Sequence, residues 1–339
     1  MIDLSTEYLG LKLKNPLVPS SSPLTGNFDT ARELEDSGAA ALVLPSLFEE
    51  SIRASEEAAM RFLMEQETGF GEADSFLPVH DDSCFRTELD EYLEYLRRLK
   101  ESLQIPVIAS LNGITPEGWT SHAKQLQEAG ADALELNVYY VATNIEESAE
   151  QVEQRYLDVL AQVKQHVSIP ITMKLGSQFS SVGHFVRKLE QGGVDGVSLF
   201  NRFYQPDIAL FTREVMPMLT LSSSYESLLR VSWIATLFGK VQLSLAVTGG
   251  IHSAEDALKA LMAGADVTHL CSILLREGPQ TLGDILRNMQ AWLQEQEYDS
   301  VSQLKGSVSR ERAIDPSAYD RANYVEVMKS HRSATGVWR

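Results

Sequence analysis

Three segments share one reading: Gly130-Ala131-Asp132-Ala133-Leu134-Glu135-Leu136-Asn137, Gly193-Val194-Asp195-Gly196-Val197-Ser198-Leu199-Phe200 and Gly264-Ala265-Asp266-Val267-Thr268-His269-Leu270-Cys271. In each, a glycine closes a helix-period stretch, a small apolar residue and an aspartate follow, and a short apolar run begins. This is weak internal repetition of a helix-to-strand unit, not a solenoid repeat. Working outward, similar runs stand at Asn15–Pro19, Ala40–Leu44, Pro106–Leu111, Ile171–Leu175 and Leu243–Val247. With Ala133–Val138, Gly196–Phe200 and Asp266–Cys271 they make eight candidate strands. Amphipathic stretches separate them, with Gly38 and Gly192 as further stops. Thr115-Pro116 offers an N-cap with proline at the first helical position, and Ser253-Ala254-Glu255-Asp256 resembles a capping box with aspartate for glutamate. Apolar runs alternating with helices predict a parallel α/β fold. Eight such units predict a closed (β/α)8 TIM barrel. An open doubly wound sheet is the alternative, but no G-x-G-x-x-G follows the first strand.

Length and charge set the frame. The chain has 339 residues, of which 44% are hydrophobic and 22% charged, enough for one large core. We assign residues 1–305 to the barrel and 306–339 to a C-terminal extension, a packing or oligomer arm in which Arg321–Arg332 reads as a short amphipathic helix. Residues 49–100 form an acidic, mostly helical excursion after the second strand, containing the polar segment Glu65–Cys84. Lys and Arg number 29 against 47 Asp and Glu, a net charge of −18. Such a field repels phosphate backbones and anionic lipid, so neither nucleic acid nor membrane is an expected partner. Cys84 and Cys271 stand far apart in no metal-ligand spacing, which fits a reducing compartment. The start, Met1-Ile2-Asp3-Leu4, is not a basic region leading into an apolar run, and no apolar stretch approaches ~18 residues. A cytoplasmic location and a homodimer are expected.

In a barrel of this kind, ligands bind where the strands end. The seventh strand ends in Thr248-Gly249-Gly250-Ile251, whose glycines let backbone N–H groups approach an anion. The eighth ends in Cys271-Ser272. These two loops are where such barrels hold phosphate. Lys174 sits in the apolar fifth strand, Thr172-Met173-Lys174-Leu175-Gly176. An ammonium there needs a counter-charge, which an anionic ligand or intermediate supplies. Asn137 and Asn201 end the fourth and sixth strands. Their amides both donate and accept, which suits a planar heterocycle. His80, His122, His252 and His269 have no i,i+4 pairing and read as structural. Asp81-Asp82 reads as a solvated charge pair.

Taken in order, these landmarks resemble the dihydroorotate dehydrogenase family of FMN barrels. The likeness starts at Leu9-Gly10-Leu11-Lys12-Leu13-Lys14-Asn15-Pro16-Leu17 and Ser20-Ser21-Ser22. It runs through Ala109-Ser110-Leu111-Asn112-Gly113, Glu135-Leu136-Asn137, Lys174, Asn201, Thr248-Gly249-Gly250-Ile251 and Gly264-Ala265-Asp266, and ends at Glu277-Gly278-Pro279. The resemblance implies FMN as cofactor and hydride transfer between it and a small molecule. It implies that Ser20, Ser21 and Ser110 lie against the flavin and that Asn137 is shared between flavin and substrate. Lys174 is then the cation at the N1/O2 edge, Asn201 a substrate ligand, and Gly249, Gly250, Cys271 and Ser272 the phosphate loops.

The departures bear on the substrate. Where the family carries a cysteine or serine base after the fourth-strand asparagine, this chain reads Asn137-Val138-Tyr139-Tyr140-Val141-Ala142-Thr143-Asn144, with Tyr140 in the base position. A phenol with a pKa near ~10 is a poor base and a good acid. Pro45 stands where the family has a lysine after the second strand. Asp74-Ser75-Phe76-Leu77-Pro78 stands near the place of the family's substrate-binding "N-x-x-G-L-P-N". The expectation is an FMN-dependent oxidoreductase acting on the CH–CH bond of dihydroorotate or a related conjugated ring. Electrons would leave through a soluble acceptor or a separate redox protein. A phosphate-binding lyase or isomerase using Lys174, and a catalytically retired barrel serving as a partner subunit, remain the alternatives.

Overall fold

A hairpin of β1 (Thr6–Tyr8) and β2 (Leu11–Leu13) opens the chain, and the barrel strands follow it. These are β3 (Leu17–Pro19), β4 (Leu42–Phe48), β5 (Val107–Asn112), β6 (Ala133–Asn137), β7 (Ile171–Leu175) and β8 (Gly196–Leu199). A second hairpin, β9 (Asp207–Ala209) and β10 (Glu214–Met216), interrupts them before β11 (Ser244–Thr248) and β12 (Val267–Leu270). The computed structural model describes residues 2–55, 57, 86–113, 116–320, 324 and 327–328. The expectations for Thr115, Glu65–Cys84 with its His80 and Asp81-Asp82, Asp74–Pro78 and most of Arg321–Arg332 lie outside the described residues.

Every barrel pairing is parallel, in the order β3-β12-β11-β8-β7-β6-β5-β4. The two ends of that order meet through Ala40 N–H donating to Leu17 O at 3.0 Å and Ser46 N–H donating to Ser21 Oγ at 3.1 Å. The expected (β/α)8 architecture is the observed one. Helices such as Glu88–Ser102, Ala149–Lys164 and Val182–Gln191 cover the outside, sealing an aliphatic layer against the strands.

The repeated Gly-x-Asp theme has a structural task. Asp132 Oδ2 accepts the Val107 N–H at 2.7 Å, Asp195 Oδ2 the Ile171 N–H at 2.9 Å and Asp266 Oδ2 the Leu245 N–H at 2.7 Å. Each aspartate precedes one strand and satisfies the amide at the start of its neighbour, where the ladder has not yet begun. Lys100, Lys164 and Lys305 neutralise the three carboxylates.

One strand departs from the sequence reading. The second was expected over Ala40–Leu44 but runs from Leu42 to Phe48, through Pro45. Its register against β5 shifts between Val43 and Ser46, so Pro45 sits in a bulge, where a missing N–H interrupts no ladder. The expected cap at Ser253 forms: its Oγ accepts the Asp256 N–H at 3.2 Å, while Asp256 itself takes the His252 N–H.

Alternation decides what fills the barrel. Its lower interior is apolar, with Val18, Val43, Ile108, Ala133, Ala246 and Val267 closing on Tyr8, Leu9 and Leu13 of the first hairpin. Two residues further along β5 and β6 the inward positions become Ser110 and Glu135, so polar groups begin one layer up. The hairpin is therefore a plug that closes the bottom and leaves the top open. Tyr8 is fully buried, and its hydroxyl lies 3.3 Å from Thr172 Oγ1. Tyr8→Ala should destabilise the protein by ~3–5 kcal/mol, the usual cost of emptying a buried aromatic site. Urea denaturation measures it, and a loss under about 1 kcal/mol would show that the plug carries no stability.

Candidate functional site

Strand register assembles the centre. Asn137 on β6 pairs with Lys174 on β7, which pairs with Ser198 on β8, so the three lie at one level. Lys174 is 8% exposed and its Nζ stands 3.4 Å from Glu135 Oε1. Glu135 is wholly buried, and its Oε2 has no hydrogen-bond partner. His269 on β12 presents Nδ1 to that oxygen at 4.0 Å, and neither of its ring nitrogens has a partner. Burial first, and the neighbouring Lys174, push the His269 imidazole down to about 4, against the pull of Glu135. It is neutral at pH 7.

Lys174 and His269 form the floor of a cavity at the C-terminal ends of the strands, with about 790 Å³ of empty space including its open mouth, and Glu135 lies between them beneath it. Ser20, Ser21, Lys174, Asn201, Gly249, Gly250, Cys271 and Ser272 all line it, as do Arg202 and His269. Among the described residues its charged lining groups are Lys174 and Arg202, the latter paired with Glu226 at 3.1 Å, and none of the lining residues is a carboxylate. Asn201 Nδ2 donates to Asn137 Oδ1 at 2.7 Å, tying the ends of the fourth and sixth barrel strands together. Burial raises the Cys271 thiol above its ordinary value, so it stays protonated.

The wall beyond β11 demands glycine. Gly249 and Gly250 have φ of +93° and +83°, and a Cβ on Gly250 would meet Ser227 N at 2.3 Å. The helix Ser227–Leu237 thus comes against bare backbone. Its Arg230 donates to Thr248 O, Glu226 O and Phe200 O at 3.0, 2.6 and 3.3 Å, pinning two strand ends with one guanidinium. Opposite, Ser272 Oγ accepts the Ser222 N–H at 3.1 Å, and Ser222 Oγ lies 3.0 Å from His252 Nε2. Open amides, two nearby cations and serine hydroxyls form a donor set for a phosphate, and the residues present fit a phosphorylated planar cofactor.

Three expected site residues are not part of the cavity lining: Asn137, which meets it through its bond to Asn201, Ser110 and Tyr140. Ser110 is fully buried in the barrel wall, its Oγ 2.8 Å from Ser46 Oγ and its N–H on the Tyr92 hydroxyl at 3.2 Å. Tyr140 lines a smaller cleft that shares only Asn201 and Arg202 with the main cavity. Its hydroxyl donates to Glu147 Oε2 at 2.6 Å, and Arg155 lies 4.2 Å over its ring. The Glu147 hydrogen bond raises the phenol above its ordinary value. Sequence reasoning missed Glu135, Arg230 and the site position of His269. Glu135 carried the same signal as Lys174, a charge inside an apolar run. Arg230 carried none.

The neutral His269 has a consequence for stability. Its ordinary value near ~6.5 falls to about 4 on folding, so the unfolded chain binds more protons between these limits. That contribution is present above pH ~6.5 and lost as pH falls toward about 4, an upper bound of about 3 kcal/mol. His269→Gln should flatten this part of the stability profile, read by urea denaturation from pH 4 to 7. An unchanged slope would place the imidazole in contact with solvent.

Comparison with known proteins now has a geometry to meet. Residues 86–293 match the model of the dihydroorotate dehydrogenase family. The chain is 26% identical over 326 residues to the catalytic subunit of dihydroorotate dehydrogenase B (NAD(+)) of Thermoplasma acidophilum, covering 91% of this chain and 100% of that one. It is 25% identical over 325 residues to the PreA subunit of NAD-dependent dihydropyrimidine dehydrogenase of Escherichia coli K12, covering 90% of this chain and 76% of that one. Against the Pyrococcus abyssi dihydroorotate dehydrogenase B catalytic subunit it is 27% identical over 310 residues, covering 89% and 98%. The matched segment takes in β5 to β12, with Glu135, Asn137 and Lys174 on the strands and Gly249 and Gly250 in the turn after β11, and the chain belongs to the dihydroorotate dehydrogenase family.

Proposed function

We propose that the protein is an FMN-dependent oxidoreductase acting on the CH–CH bond of dihydroorotate or a related conjugated ring. One observation carries the reading: in a chain of net charge −18, the described residues that line the cavity at the strand ends include Lys174 and Arg202 and no carboxylate. Such a site selects a small anion that fits inside the barrel mouth. Gly249, Gly250, Cys271 and Ser272 would hold the phosphate, and Ser20 and Ser21 would face the ring system, with Ser110 supporting that wall. FMN bound there would accept or donate the hydride. Lys174 would set a fixed positive charge against its pyrimidine edge. The Asn137–Asn201 pair would orient the substrate's amide groups, each amide offering a donor and an acceptor.

The proton partner in this reading is Tyr140, on the loop after β6; its hydroxyl is held by Glu147 in the cleft beside the cavity and would turn past Asn201 to reach a bound ring. The hydrogen bond to Glu147 keeps the phenol protonated at neutral pH. A protonated phenol gives a proton more readily than it takes one, so reduction of an unsaturated ring is favoured and oxidation rises toward alkaline pH. The relatives named as a catalytic subunit and as subunit PreA support a separate redox partner or soluble acceptor here. Among the described residues no helix is long and apolar enough to cross a membrane. A homodimer and a cytoplasmic location complete the proposal.

Two measurements test it. Purified protein should bind one FMN per chain and prefer FMN to riboflavin by ~10²-fold, the scale of two charge-assisted hydrogen bonds. Equal affinity for the two would remove the phosphate cradle. Tyr140→Phe should spare FMN binding and lower turnover of the best screened substrate by roughly 10²–10⁴-fold. Wild-type turnover in that variant would leave Tyr140 a packing residue.

A further inference from the structure

Below the cavity, Lys174, Glu135 and His269 form a column with a single carboxylate between two basic groups. Glu135 Oε1 faces Lys174 Nζ at 3.4 Å and Oε2 faces His269 Nδ1 at 4.0 Å. A wholly buried carboxylate needs compensation, and among the described residues Lys174 supplies it. The other titratable groups around His269 offer no charge. Tyr8 from the first hairpin stands edge-on to its ring at 6.1 Å, with a phenol that burial raises, and Cys271 on the same strand has a thiol that burial raises.

We propose that His269 takes up a proton when negative charge settles on the cavity side of Lys174. The anion draws the ammonium's field outward, Glu135 loses its compensation, and the imidazole supplies it instead. One N–H bond forms on an unpartnered ring nitrogen. The proton enters from solvent through the cavity, whose lining includes His269, and nothing is oxidised or reduced in the step. The site then takes an anion and a proton together and keeps its summed charge. Burial and Lys174 hold the ring neutral before that event, while Glu135 favours the charged form, so removing the lysine acts in the same direction as an arriving anion.

The proposal rests on the anion-binding cavity of the proposed function, but its decisive test needs no ligand. Protein labelled with ¹⁵N-histidine reports each imidazole's protonation state, and the His269 signals are those absent from His269→Gln. In the wild type they should stay neutral from pH 5.5 to 8. In Lys174→Met the titration midpoint should move from about 4 to about 6 or higher, and Glu135→Gln added to that variant should return the ring to neutral. Lys174→Gln repeats the measurement should Lys174→Met not fold. A ring that stays neutral at pH 6 in both lysine variants overturns the proposal. Wild-type protein loaded with FMN and reduced by dithionite should give the same switch at pH 5.5, and a neutral ring there overturns it equally. FMN loading is scored separately by absorbance, so failure of the flavin reading is distinguished from failure of the proton uptake.

Discussion

The aspartates ahead of β6, β8 and β12 are the constraint on which the rest depends. Each carboxylate holds the first or second amide of the neighbouring strand, fixing pairs β5–β6, β7–β8 and β11–β12 at the closed end. Side chains alternate along a strand with a period of two, so a slip of one residue would turn every inward group outward. Lys174 would leave the cavity floor, and Met173 would enter it. Three side chains at the bottom therefore decide which functional groups meet at the top.

Given that register, the interior divides into two halves with opposite physics. The lower half is closed by the Tyr8 hairpin and obeys ordinary core packing. The upper half contains a carboxylate, an ammonium and an imidazole with three polar atoms that no protein group satisfies. A barrel selected for stability alone would fill this layer with aliphatics, since a buried pair seldom outperforms them. Its persistence beside an open cavity points to charge control at the strand ends, where these barrels place ligands.

The fold was legible because its signals are local. Apolar runs, helix-stop glycines and the Gly-x-Asp theme each concern a few adjacent residues, and seven of the eight strands lie within two residues of where they were expected. The eighth was cut short at Pro45, since a bulge is a relation between two strands and neither sequence alone contains it. The site was legible in part for the same reason. Lys174, Asn137, Asn201 and the Gly249-Gly250 turn sit at strand ends, and their place follows from the strand itself. Arg230 reaches its three carbonyl partners across three elements, which no spacing encodes. Tyr140 takes its expected role from the family resemblance alone, but a loop side chain follows its hydrogen bond, and Glu147 takes that hydroxyl into the neighbouring cleft.

Charge explains how the exterior and the cavity work together. A net charge of −18 gives the chain a field that turns away polyanions, while the two charged groups among the described lining residues of the cavity are cations. An extended anion meets the outer field along its whole length. A compact one passes through the mouth and meets Lys174 and Arg202 at short range, where screening and the high dielectric of water matter least. Glu135 limits that attraction from beneath. Paired inward, Lys174 gives the empty cavity a weaker pull than a free ammonium would. Released toward an anion, it leaves the carboxylate to the neutral imidazole 4.0 Å away. The same three groups thus hold a charge in an empty site and offer it to a filled one, which a lone lysine in an apolar barrel could not do.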